Sequence, residues 1–286
     1  MGPGPNADLI AGRGERPVAA AWCAAAVCGC LLWLTGAWIH PGGLPHPAGT
    51  AGEPVFMEGE DLLYEVRWSF VRLGTIRIVS RTPYEARAHI DSYPDLPLAD
   101  LHSVYFTSMD SLFCSHRAWA ADRSGKRWRG MWYTTDAAGG RVLVESGMTG
   151  TPGEIPEGGL HRDTLRIAAG RFVDGLAIGF FPRRLLFAVG TVRVPTVLNG
   201  RLGTTEFRFG GIRTTEEIEA WGEPIRVVEV AGHTDAEGIF GMTGEFAGLF
   251  SDDDACVPIR GRLKVLIGDV VVELIGWRRS DWNPPS

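Results

Sequence analysis

From Val55 onward, apolar and polar residues alternate with a period of two over most of the chain. That is the spacing of strands with one buried face, because successive side chains leave a strand on opposite sides. In LLYEVRWSF, Tyr64, Val66, Trp68 and Phe70 share one side, and Glu65, Arg67 and Ser69 the other. Leu73-Gly74 then reads as a turn into TIRIVSR, and YEARAHID alternates again through Tyr84, Ala86, Ala88 and Ile90. HRAWAAD and RWRGMWYTT flank Arg123-Ser124-Gly125-Lys126, a hairpin turn, and residues 136–140 turn into RVLVES. The first half therefore predicts an antiparallel meander.

The rhythm breaks in the middle. Residues 147–160 read as a loop, and Asp174 as the N-cap of a helix through Leu176, Ile178, Phe180 and Phe181, shortened or kinked by Gly175, Gly179 and Pro182. Strand patterns resume on either side of Asn199-Gly200, a two-residue hairpin signal. RVVEVAG, IFGMTGEFAGLF, VPIRGRLKVLI and VVVELIGW complete the run. The pattern predicts a mainly β fold of about ten to twelve strands. They form a large curved antiparallel sheet, a half-barrel or partly closed barrel, with one or two short helices over one face. Its domain spans residues 53–280, followed by a tail, 281–286.

Asp252, Asp253 and Asp254 lie between two apolar runs. A calcium loop needs ligands at alternating positions, a central glycine and a closing glutamate. Here the aspartates are adjacent, and the economical reading is a hairpin turn, where aspartate accepts local backbone N–H bonds. Gly268-Asp269 repeats that logic.

Ahead of the domain, Pro17–Ile39 runs 23 residues without a charge, preceded by Arg13 and Arg16. As a helix it is long enough to cross a bilayer, and the arginines favour a cytoplasmic N-terminus. Residues 1–39 thus read as a signal anchor, a cleaved signal peptide, or a lipoprotein signal acylated at Cys30, with residues 40–52 a Pro/Gly linker. All three place the domain outside the cytoplasm, in the periplasm or on the periplasmic face of the inner membrane. Export leaves Cys114 and Cys256 in the domain, a possible disulfide in an oxidising compartment.

The formal net charge is −6 and lysine occurs only at Lys126 and Lys264, so no basic stripe marks a nucleic-acid site. His102, Cys114 and His116 match no common zinc spacing. Asp110, Ser111 and His116 lack a G-x-S-x-G elbow, and no phosphate-binding or dinucleotide motif occurs. The sequence calls for no catalytic residue, metal or cofactor. What stands out is aromatic. Two readings stay open: a filled aromatic core, or a sheet whose concave face holds an apolar ligand. Under the second, Trp68, Phe70, Trp132, Leu176, Phe180, Phe181 and Phe246 bind the ligand, and Leu176 to Leu186 form a lid.

Three segments also carry a family resemblance. GEDLLYEVRW followed by Leu73-Gly74-Thr75, the central DGLAIGFF, and the closing SDDDACVPIRGRLKVLIGDVVVEL together resemble domain-of-unknown-function family 3108, of bacterial envelope proteins. The departures are Ala177, Gly179 and the Phe180-Phe181 pair. The resemblance covers residues 53–278 and carries no catalytic residue. A fainter likeness, at the level of fold, is to periplasmic half-barrel carriers of the LolA/LolB kind. These readings converge on a non-enzymatic envelope protein that binds a lipid or lipoprotein acyl chain. The alternative is a scaffold that binds a protein partner through a sheet edge or surface patch.

Overall fold

In the computed structural model, the period-two segments pair into one antiparallel sheet of fourteen strands. The structure describes residues 59–286 except 97–99, 137, 168–169, 238–242, 266–267 and 280–281. The apolar segment Pro17–Ile39 and the linker 40–52 lie outside these residues. No helix among those described is long and apolar enough to cross a membrane. The strands are β1 (Asp61–Trp68), β2 (Val71–Thr82), β3 (Glu85–Ser92), β4 (His102–Met109), β5 (Ser115–Ser124), β6 (Arg127–Asp136) and β7 (Arg141–Thr149). There follow β8 (His161–Arg166), β9 (Gly190–Leu198), β10 (Arg201–Ile218), β11 (Trp221–Thr234), β12 (Gly244–Ser251), β13 (Pro258–Lys264) and β14 (Asp269–Arg278).

Every neighbour in the sheet is also a neighbour in sequence, except one. The order runs β8 to β1, then β14 down to β9, so the first and last strands pair in the middle and β8 and β9 are the edges. The sheet curls without closing. Ser115 of β5 donates its N–H to the Phe172 carbonyl at 2.7 Å, and Val173 exchanges backbone bonds with Pro195 and Val197 of β9 at 2.9 Å each. Val197 packs with Ala118, Tyr133, Val142 and Val144, so β9 rests against β5–β7 instead of pairing with β8.

Several local expectations are corrected. Leu73-Gly74 is no turn. The chain reverses at Ser69-Phe70, with Ser69 at φ 53°, and Gly74 sits mid-strand opposite Ser92. There a Cβ would collide with the Asp91 carbonyl, which explains the glycine. Residues 147–149 belong to β7, and HRDTLR is strand β8, masked in the sequence by its charges. The expected helix is two consecutive 3-10 turns, Ala177–Gly179 and Phe181–Arg184. Pro182 brings no N–H, so the bonds step by three residues: Phe180 to Ala177, Arg183 to Phe180, Leu185 to Pro182. Residues 252–257 do join β12 to β13. Asp253 Oδ1 accepts from Ser251 Oγ at 2.7 Å and from the N–H groups of Ala255 and Cys256.

Candidate functional site

The 3-10 segment crosses the concave face, and a buried charged residue pins each of its ends. At the start, Asp174 Oδ1 caps the N–H groups of Leu176 and Ala177 at 2.7 and 3.3 Å. Its Oδ2 accepts the hydroxyls of Thr107 and Ser115 at 2.5 and 2.6 Å, tying the segment to β4 and β5. Burial pushes the Asp174 carboxyl up, and these bonds pull against it without reversing the shift. At the other end, Arg183 is 1% exposed. Its guanidinium donates to both Glu60 carboxylate oxygens, at 2.9 and 3.1 Å, and to the Ala255 carbonyl at 2.7 Å. Arg279 reaches the same carboxylate at 2.6 Å. Burial alone would raise the Glu60 pKa; the two guanidiniums outweigh it and hold it below the usual carboxylate range. The segment expected as the lid thus stands as a roof anchored at both ends.

Between roof and sheet lies an apolar cavity of about 430 Å³. Its floor is built from cross-strand rows of side chains. Tyr105, Ala88, Ile78 and Leu62 face one another across β4, β3, β2 and β1. Ile90, Ile76 and Tyr64 form the next row. Val272, Gly261, Gly248 and Val230 form another across β14 to β11, and Val270, Leu263 and Phe246 the last. Glycine at 261 and 248 lowers this floor, and the nearest atom to a Cβ at Gly261 would be 4.0 Å away. Gly175, Leu176, Ile178, Gly179, Phe180 and Pro182 form the roof.

The aromatic residues divide accordingly. Leu176, Phe180 and Phe246 line the cavity. Phe181 is packed away beside it, 5.3 Å from the Phe207 ring. Trp132 lies in β6 with its indole N–H on the Gly153 carbonyl, 3.3 Å away and apart from the cavity. Trp68 is opposite Val270 at the end of the last row but is no part of the lining, and Phe70, at the hairpin tip, is 93% exposed. Sequence reasoning missed Tyr105, Ile76, Ile78, Leu263, Val270 and Val272. Their signal was the same alternation, which gives the side of a strand but not the row across it.

A second cleft, about 560 Å³, is lined by Phe70 and Val271 together with Glu65, Arg67, Arg72, Glu219, Arg260, Arg262 and Glu273. Glu65 and Glu273 stand opposite one another on β1 and β14, a repulsive pairing on its own. Arginines resolve it. Arg67 and Arg260 bind Glu273 at 2.8 and 2.6 Å, and Arg72 binds Glu65. Burial raises and its arginine and Tyr93 partners lower the Glu65 pKa, with a net lowering that does not suit a proton donor. Arg67, Arg72 and Arg260 are paired with the two glutamates across β2, β1, β14 and β13, so the apolar cavity is the better candidate site.

The remaining sequence candidates are structural in their surroundings. His102 pairs with Asp91 and Asp100, and His116 meets Ser108. Asp110 caps the N–H groups of Leu112 and Cys114. Cys114 and Cys256 are separate buried thiols, each pushed up to about 12 mainly by burial.

No family model matches the chain, and no curated protein matches it; the likeness to family 3108 rests on the three motifs alone. Among solved structures, the chain is similar to a crystal structure of a β-barrel-like protein of domain of unknown function DUF1849 from Brucella abortus. The TM-score is 0.53 at 8% identity, over 79% of this chain and 100% of that one. At that identity the likeness concerns fold alone: a β-barrel-like sheet in a domain without assigned function.

Proposed function

We propose that this chain is a non-enzymatic envelope protein that holds a single apolar chain, the acyl chain of a lipid or lipoprotein, between its sheet and its roof. The observation that carries the reading is the apolar cavity under a roof anchored at both ends. Its volume falls within the ordinary range for ligand sites. A methylene needs about the room of a water, roughly 30 Å³, so 430 Å³ admits about fourteen. At about 0.8 kcal/mol per methylene the gross gain is about 11 kcal/mol, from which the costs of association and ordering are subtracted. The apolar N-terminal segment and the resemblance to envelope proteins support placement at or beyond the inner membrane.

Native mass spectrometry of protein prepared from a periplasm without detergent, followed by organic extraction, tests this. A lipid adduct at unit stoichiometry supports it and identifies the ligand class. A clean apo mass, with no uptake of added fatty acid or phospholipid, refutes it. That result would favour the scaffold reading, for which the unpaired, largely exposed edge strand β8 is the supporting observation.

A further inference from the structure

The cavity lining carries few hydroxyls, and they are not equivalent. Tyr64 donates its hydroxyl to the Pro258 carbonyl at 3.0 Å. Thr234 Oγ1 is shared between Thr205 Oγ1 at 3.0 Å and the Ala236 N–H at 3.2 Å. Tyr105, in the row that ends beside the Asp174 anchor, has no hydrogen-bond partner among the described residues. Its ring approaches the roof at Gly175, where a Cβ would lie 3.7 Å from Cε1. Burial, together with the nearby carboxylates of Asp122 and Asp174, raises its pKa and keeps it a neutral phenol, a donor at any physiological pH. A half-buried donor without a protein partner in the cavity lining is available to an acceptor that a ligand brings in.

We infer that Tyr105 is the specificity-determining residue of the cavity, and that the ligand is an acyl chain whose carbonyl oxygen accepts the Tyr105 hydroxyl. The inference rests on the carrier reading and narrows it. An ester or amide of a fatty acid fits, and a plain hydrocarbon fills the same space without the bond.

The test uses the full chain in lipid nanodiscs. A diazirine-bearing tetradecanoate ester is photolabelled into it, and the labelled peptides are mapped. Methyl tetradecanoate and hexadecane, equal in chain length, are then compared as competitors. In the wild type the ester displaces the label from the β1–β3 and β12–β14 peptides at about five-fold lower concentration than the alkane, the worth of one hydrogen bond. Tyr105→Phe keeps the labelling and brings the two competitors together. A preference that survives in Tyr105→Phe overturns the role of Tyr105 and leaves the carrier reading standing. Absence of label from those peptides in the wild type overturns both. If the variant loses labelling altogether, Tyr105 shapes the cavity rather than selects its ligand, and the inference also fails.

Discussion

Replacing Arg183 by methionine tests whether the roof is held from its far end. The side chain is fully buried and donates to both Glu60 carboxylate oxygens and to the Ala255 carbonyl. Methionine matches its length but leaves Glu60 with Arg279 as its remaining guanidinium and strips the Ala255 carbonyl of that donor. Breaking a buried pair from one side costs about 3–5 kcal/mol. In a domain of this size each kcal/mol moves the midpoint by about 2–4 °C, so Tm should fall by about 10 °C in a calorimetric scan at neutral pH. The neighbouring Arg184→Met is the control, since its Nε has no hydrogen-bond partner among the described residues. Acid titration adds a second reading. The folded Glu60 pKa lies below its unfolded value, so its stabilisation is present above the unfolded pKa and is lost as pH falls through the folded one. Glu60→Gln should therefore flatten the stability curve below about pH 4.5, the ordinary glutamate value. A Tm change under about 2 °C for Arg183→Met, equal to that of Arg184→Met, would refute the anchor.

Three further outcomes follow from the same geometry. Gly261→Leu should leave the fold stable and abolish the lipid adduct, because the new side chain enters the cavity with no atom nearer to its Cβ than 4.0 Å; an undiminished adduct would show that the ligand sits elsewhere. Asp174 has a folded pKa above its unfolded value, so its favourable contribution is complete at low pH and lost as pH rises through the folded pKa. Asp174→Asn should thus gain on the wild type as pH increases from 4 in denaturant titrations, and a constant difference would contradict the assignment. In protein from Pro41 to Ser286, Cys114 and Cys256 should resist a thiol reagent when folded and react as two thiols once unfolded; no reaction after unfolding would mean that they are bridged.

What the sequence revealed depended on how local the signal was. The turns at Gly125-Lys126 and Asn199-Gly200 were legible because two residues with the right turn chemistry sit between alternating runs. Strand β8 was missed because an edge strand has no buried face to impose alternation, and HRDTLR is exposed along nearly its whole length. The division of aromatic residues was not legible at all. Phe70 and Phe180 look alike in a hydropathy pattern, yet one is at a hairpin tip and the other roofs the cavity. The Glu60–Arg183 pair joins residues 123 apart. Its one local trace was a charged residue set in the apolar run FFPRRLLF.

The strand order has a consequence for how the chain reaches this shape. β1 through β8 form one uninterrupted series of hairpins and β9 through β14 another, and each can assemble from contacts close in sequence. A single ladder, β1 against β14, joins the two and closes a loop of roughly two hundred residues. That seam is where the folding delay should concentrate, and the Arg67–Glu273 ion pair forms only when it zips. A circular permutant, fused end to start and opened between β8 and β9, would turn the slowest pairing into an ordinary hairpin. The order of strand neighbours would be unchanged, and the cut would fall between the two edge strands of the sheet.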